Sequence, residues 1–203
     1  MIKAVVFDVD GVLIDNSSLI IEIFQEDARR AGLPIPSVEE IIAIFGLPWE
    51  EMIETLLGKD KRYKQIHRDV WSKYAQQTIL ASDIKEMLEV LKYKKGIVTS
   101  KPRESLIRHM GEYLKYFDSI ITVEDTIKHK PDPDPLLKAI DQLDVKPEEV
   151  VYVGDHWRDY EMAKNAGTDF IGILSGALTK EEFEKIGVTK IVSSLKEIVG
   201  LIK

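Results

Sequence analysis

Short apolar runs alternating with stretches whose apolar residues recur three and four apart limit what this chain can become more than any other feature. That alternation is the pattern of βα units building a parallel sheet. The runs span residues 4–9, 96–99, 119–123, 149–153 and 170–174, with a short sixth at 190–192. Between them, Ile84, Met87, Leu88 and Leu91 keep helical spacing, with Ser82 or Asp83 placed to cap that helix, and a further helix is predicted over 134–143.

One connection is too long for a simple crossover. Loops joining a strand to its helix usually take about two to six residues, yet Asn16 to Leu80 intervenes between the first run and the second and carries no strand-like run. Its apolar residues instead keep helical spacing: Leu19, Ile23 and Phe24; Ile41, Ile42 and Phe45; Met52, Ile53, Leu56 and Leu57; Ile66, Val70, Trp71 and Tyr74. Breaks fall at Gly32-Leu33-Pro34, Gly46-Leu47-Pro48 and Gly58. So many consecutive helices favour a helical module inserted after the first strand over a layer that merely covers the sheet.

Composition narrows the chemistry. With 203 residues, 44% hydrophobic and 31% charged, the chain has the balance of an ordinary globular protein. A net charge of -7 gives no basic field to hold nucleic acid or an acidic membrane surface, so an anionic substrate needs local cations or a metal. The absence of cysteine excludes disulfides, thiolate zinc sites and a cysteine nucleophile. The opening MIKAVVFDVDG is too short in its apolar run for a secretory leader or a membrane span, and a cytoplasmic location is expected. Abundant Ile, Lys and Glu with sparse Asn and Gln lean toward heat adaptation. Nothing in the sequence sets an oligomeric state.

The strongest chemical signal is Asp8-Val9-Asp10-Gly11 after the first run. Residues i and i+2 of a strand point to one side, so both carboxylates leave the strand end together. In open α/β folds that edge is where ligands bind. Two such carboxylates repel unless a cation lies between them or one stays protonated, and both outcomes serve phosphoryl transfer. A calcium loop is excluded, because Val12 and Leu19 stand where oxygen ligands would be required; an acidic turn without a role stays open for this segment taken alone. A second signal is Gly154-Asp155-His156-Trp157-Arg158-Asp159 after the run 149–153. Asp155 reads as a metal ligand if its strand lies beside the first, whereas Asp159 is evenly balanced between a function and a helix cap. His156 has no partners at ligand spacing, which disfavours zinc. Thr99 and Ser100 end the second run, where a hydroxyl and free N–H groups suit a phosphoryl oxygen. Lys130, in Lys128-His129-Lys130-Pro131-Asp132-Pro133, approaches a helix along a path stiffened by two prolines. Taken singly, Thr99 and Lys130 are more simply a strand residue and a solvated lysine.

Together and in order, FDVDGVLID, IVTSKP, KHKPDPDPLL and VYVGDHWRDYEMAKNAG resemble the four motifs of the haloacid dehalogenase-like hydrolase superfamily, over nearly the whole chain. Within it the chain is similar to the phosphoglycolate phosphatase and β-phosphoglucomutase-like group, whose helical cap follows the first motif. The resemblance implies an α/β fold: a Rossmann-like parallel sheet core of residues 1–15 and 81–203, with a helical cap of 16–80. It implies a magnesium-dependent phosphatase acting on small phosphate monoesters through an aspartyl phosphate. Asp8 is then the nucleophile, Asp10 the acid and base, and Asp155 with Asp8 and the Asp10 carbonyl the Mg²⁺ ligands. Asp159 orients from behind, while Thr99, Ser100 and Lys130 bind the phosphoryl oxygens. The alternatives are a sugar phosphomutase using the same motifs, a dehalogenase, for which Asp10 would have no purpose, a member that only binds, and a receiver-type phospho-accepting domain, which would lack both the insertion and the GDxxxD segment. Departures from the family pattern are Val12 in place of Thr, a shortened stretch at 93–96 expected to truncate the second strand, and His156 and Trp157, expected to alter the site's rim. Cap-side candidates for substrate selection are Gly46-Leu47-Pro48-Trp49, Lys59, Lys61 and Arg62.

Overall fold

A computed structural model of the protein describes residues 1–74, 77 and 79–202. Its strands and helices run along the chain as β1 (Ala4–Phe7), β2 (Ile14–Asp15), α1 (Ser17–Ala31), α2 (Val38–Ile42), α3 (Trp49–Leu56), α4 (Lys61–Tyr74), β3 (Ile79–Leu80), α5 (Ile84–Val90), β4 (Lys94–Val98), α6 (Arg103–Met110), β5 (Ser119–Ile121), α7 (Asp134–Leu143), β6 (Val150–Gly154), α8 (Trp157–Ala166), β7 (Asp169–Ile173), α9 (Lys180–Lys185), β8 (Ile191–Val192) and α10 (Leu195–Leu201).

Six parallel strands form the main sheet in the order β5-β4-β1-β6-β7-β8. All four residues of β1 are buried, as a central strand covered on both faces requires. Its side chains divide by the two-residue period: Val5 and Phe7 join a core with α5, α6 and α10, and Ala4 and Val6 join another with α7 and α8. From β1 the chain moves to β4 and β5 on one side, then returns to β6 on the other. The ends of β1 and β6 therefore flank the topological switch point, where doubly wound sheets take their ligands. Register sets Phe7 opposite Val153, so Asp8 and Asp155 leave neighbouring strands close together.

The predicted strand positions hold to within two residues at each end, and α7 matches its predicted span. Two local expectations do not. The second strand is not truncated: it begins at Lys94 and equals β6 in length, because Lys94 pairs with Ala4 and the Lys95 N–H gains the Asp118 carboxylate. Asp83 takes the cap position of α5 without a capping bond, its carboxylate instead accepting from the Lys196 N–H, 3.0 Å away.

The long connection is helical, as its spacing predicts. α1 closes on Gly32, whose φ of 69° lets its N–H reach back to the carbonyls of Ala28 and Arg29. Ser37 and Glu40 form a reciprocal capping box on α2. Phe24, Ala28, Ile41, Ile44, Phe45, Met52, Ile53 and Leu57 gather into an apolar cluster of their own, separate from the two cores against the sheet. Short strands stand at the two ends of this stretch, where the chain leaves and rejoins the core: Leu80 and Ile79 of β3 pair antiparallel with Ile14 and Asp15 of β2. The span expected for the insertion, 16–80, includes Ala75, Gln76 and Thr78, which lie outside the described residues.

Candidate active site

Asp8 continues the ladder beyond β1, its N–H donating to the Val153 carbonyl at 2.9 Å, and its side chain turns into a buried acidic cluster. Carboxylate oxygens of Asp8, Asp155 and Asp159 lie within 4.8 Å of one another. Lys130 is the counter-charge. Its ammonium sits 2.9 Å from Asp8 Oδ1 and 2.8 Å from Asp159 Oδ1, itself buried and 5.4 Å from the centre of the Tyr152 ring. Burial works against the Lys130 charge, but Asp159 and Asp8 outweigh it and raise its pKa above the usual lysine value.

One cation does not balance three buried carboxylates. Burial, with Asp159 nearby, lifts Asp8 to about pKa 7 even against the attraction of Lys130. Burial followed by the charges of Asp159 and Asp8 pushes Asp155 well above the ordinary carboxylate range. A hard divalent cation relieves this repulsion, and an all-oxygen donor set suits Mg²⁺. The surrounding backbone is shaped to hold Asp155 in place. A Cβ on Gly11 would lie 2.3 Å from Asp155 Oδ2 and one on Gly176 only 1.8 Å from it, while the Ala177 N–H donates to the same oxygen at 2.8 Å. The residues thus fit the ion: Asp8 and Asp155 each commit one carboxylate oxygen, to Lys130 and to the Ala177 N–H, and have the other to offer, whereas Asp159 spends one on Lys130 and the other on the His156 N–H.

Asp159 is not an N-cap. His156 holds that position on α8, and Asp159, one turn inside, accepts from the His156 N–H at 3.2 Å while gripping Lys130. Asp10 points elsewhere than Asp8. Its carboxylate accepts from Lys101 Nζ and Asn16 Nδ2, each at 2.6 Å. Burial favours the neutral acid, but the Lys101 ammonium and then the Asn16 amide hold Asp10 below its usual value. Sequence reasoning missed Lys101; its position directly after Thr-Ser at a strand end and before Pro102 is the signal that marks it. Thr99 is buried, its Oγ1 accepting from the Lys101 N–H at 3.1 Å, and it lines the cavity above Asp8.

Ser100 is placed differently from expectation. Its hydroxyl donates to the Gly46 carbonyl in the loop between α2 and α3. His156 Nε2 meets the Ile42 carbonyl at 3.2 Å, and Arg158 Nε donates to the Phe45 carbonyl at 3.2 Å. Three side chains from the sheet side therefore donate to carbonyls of the last residue of α2 and of the loop that follows it, fixing that loop over the strand ends. So His156 does not shape an open rim, as expected; it is buried beneath this loop, while half-buried Trp157 stacks with Arg158, 4.3 Å from its guanidinium.

The cavity above Asp8 has a volume of about 500 Å³ and is closed on the far side by α1, α3 and α4. Gly46, Leu47 and Trp49 line it, as anticipated, but Lys59, Lys61 and Arg62 do not. Trp71, on α4, lines it too and lies 5.4 Å from the Lys101 ammonium, linking the helical layer to the Asp10 pair.

The family model described as haloacid dehalogenase-like hydrolase matches residues 5–173. The Clostridium perfringens protein named "Putative pyrophosphatase PpaX" is 36% identical over 218 aligned positions, covering 100% of this chain and 98% of its own. The Bacillus mycoides pyrophosphatase PpaX is 31% identical, covering 99% of this chain and 98% of its own. A solved structure described as a "putative phosphoglycolate phosphatase", from Lactobacillus plantarum, superposes with a TM-score of 0.85 at 26% identity, covering 100% of both chains. No helix among the described residues is long and apolar enough to cross a membrane.

Burial holds His156 near pKa 4, below its unfolded value of about 6.5. A depressed histidine pKa contributes stability that is fully present above pH 6.5 and lost as pH falls through 4, because the unfolded chain binds the proton first. Urea unfolding at pH 7 and pH 5 is expected to show a smaller acid loss in His156→Gln than in the parent. An equal loss in both proteins contradicts this assignment.

Proposed function

Since the chain belongs to the haloacid dehalogenase-like hydrolase family, we propose that it is a magnesium-dependent phosphatase that hydrolyses small phosphate monoesters through a phosphoryl group carried on Asp8. The observation that carries this reading is the Asp8–Lys130–Asp159 bridge beside Asp155, which sets a nucleophile against one ammonium and a metal-sized acidic gap.

An Asp8 carboxylate oxygen attacks phosphorus, the ester P–O bond breaks, and the alcohol departs with a proton from Asp10. Water then attacks the phosphorus of the aspartyl phosphate, giving its proton to Asp10, and inorganic phosphate and free Asp8 result. Lys101 and Asn16 hold Asp10 as the carboxylate, the form that accepts a proton from water. The carboxyl form, needed for the leaving oxygen, arises when Asp10 exchanges the Lys101 ammonium for the substrate. Lys130 offsets the repulsion between Asp8 and an incoming dianion, and Thr99 presents its hydroxyl to a phosphoryl oxygen. Asp8, Asp155 and the Asp10 carbonyl would hold Mg²⁺, with Asp159 fixing Lys130. Bound there, the ion supplies charge neutralisation for the transferring group. Ser100 is better assigned to the interface with the helical layer than to substrate.

A second reading, pyrophosphate hydrolysis at the same Asp8, is favoured by the names of the two PpaX relatives. The sugar phosphomutase reading is supported by the description of one solved structure, a "putative beta-phosphoglucomutase" from Thermotoga maritima that is 28% identical with a TM-score of 0.75.

Asp8→Asn is expected to lower phosphate release by about a thousandfold or more with the fold intact by circular dichroism. Chelation with EDTA should abolish turnover and added Mg²⁺ restore it; wild-type rates in either case contradict the proposal. We further assign residues 16–80 as a cap that closes over the site and excludes water from Asp8. Its own apolar cluster and the two-stranded β2–β3 tether support this. Replacing 16–80 by a short linker should leave a folded core that slowly cleaves p-nitrophenyl phosphate. A product that only aggregates would show a permanently packed layer instead.

A further inference from the structure

The cavity above Asp8 has two unlike walls. On the sheet side lie the carboxylates of Asp8, Asp10 and Asp155, with Thr99 and Lys101. On the helical side the rings of Phe24, Trp49 and Trp71 surround His67, at centroid distances of 5.2, 5.4 and 6.1 Å, with Trp49 stacked 10° from parallel. Asp27, fully buried, fixes the imidazole from behind through His67 Nδ1 at 2.6 Å. Ile20 and Met52 extend the apolar surface.

What that wall lacks matters as much. Breaking pyrophosphate requires a second phosphate, a multiply charged anion, to sit where the leaving group goes. Burying such a charge without paired cations is strongly unfavourable. The ammonium and guanidinium groups lining the cavity among the described residues are Lys101, Arg68 and Arg108. Lys101 is committed to Asp10 at 2.6 Å. Arg108 is exposed and paired with Glu104 at 2.8 Å, which adds a negative charge to the same lining. Arg68 is exposed, its Nη2 donating to Gln65 at 3.1 Å. Displaced from Asp10 by substrate, Lys101 offers one buried ammonium, and neither arginine is buried, so a multiply charged second phosphate would meet a single cation beside three carboxylates. A volume of about 500 Å³, moreover, far exceeds what a phosphoryl group alone occupies and falls in the range of sites for organic ligands.

We propose that this site takes phosphate monoesters whose leaving alcohol is aromatic or hydrocarbon-rich, in preference to pyrophosphate and to small polyol phosphates. The reaction is R–O–PO₃²⁻ plus water giving R–OH plus inorganic phosphate, with cleavage at the P–O bond. This rests on Asp8 as the phosphoryl acceptor, because that choice assigns the aromatic wall to the leaving group. Trp49 becomes the residue that ranks substrates, since it lines the cavity while its other contacts are ring stacking on His67 and packing on the apolar cluster of the helical layer.

The test compares benzyl phosphate, glycerol 3-phosphate and pyrophosphate with Mg²⁺ by phosphate release, and benzylphosphonate, methylphosphonate and imidodiphosphate by calorimetry on Asp8→Asn. The expected result is a kcat/KM for benzyl phosphate about tenfold or more above the other two, and tightest binding for benzylphosphonate. Trp49→Ala should reduce that preference about tenfold while changing glycerol 3-phosphate turnover less than about threefold, and Trp49→Phe should restore most of it. Pyrophosphate turned over faster than benzyl phosphate, imidodiphosphate bound more tightly than benzylphosphonate, or an equal loss on all substrates in Trp49→Ala overturns the inference. Tight benzylphosphonate binding without any turnover upholds the apolar site and instead refutes the phosphatase reading.

Discussion

Everything at the sheet edge depends on Lys130 bridging Asp8 and Asp159. Three carboxylates collected in the interior would otherwise lose charge to protonation or drive the strand ends apart, because burial alone penalises each ionised form. The ammonium lies within 3 Å of one oxygen of each partner. It reaches that point from the segment before α7, across the end of β6, with the Tyr152 ring alongside. The Tyr152 hydroxyl, held to the Val98 carbonyl at 3.0 Å, ties the same spot to β4. One lysine thereby locks the relative positions of β1, β4, β6 and α8. One ammonium against three carboxylates leaves an excess of negative charge there, which a hard divalent cation would offset.

The same logic explains how the helical layer is oriented over the sheet. Ser100, His156 and Arg158, just beyond the ends of β4 and β6, donate to the carbonyls of Gly46, Ile42 and Phe45 at and after the end of α2. Two of those three stand within a few residues of Asp155, so the acidic strand end and the seat of the helical layer share one short segment. Lys101 and Trp71 make a second link, in which a ring on α4 covers the cation that holds Asp10. In the proposed mechanism, substrate entry displaces this link before Asp10 serves the leaving oxygen. The apolar wall and the acid–base residue are in that way coupled through a single side chain.

Much of this was legible in the sequence. The spacing of apolar residues located the strands and the helical insertion, because burial on two sheet faces and on one helix face leaves different periods. Asp8 and Asp155 were recoverable because each directly follows a buried apolar run with a glycine close by, whereas Lys130 was legible only through the family resemblance of its segment. The uses of Ser100, Asp159 and His156 were not, since each depends on a partner distant in sequence: Gly46, Lys130 and Ile42. Lys101 escaped for a similar reason. Nothing in its neighbours shows that Asp10, ninety-one residues earlier, turns away from Asp8 to meet it. Periodicity reports which side of an element is buried, but not which buried polar groups find one another.

The central claim is that phosphate passes through a covalent bond to Asp8. Acid-quenching the enzyme during steady-state turnover of a phosphate-labelled ester, then mapping the label by mass spectrometry, tests it most directly. The account predicts a hydroxylamine-sensitive phosphoryl group on the peptide bearing Asp8, absent from Asp8→Asn. Label on any other residue, or phosphate release from a chain that never carries label, would contradict it.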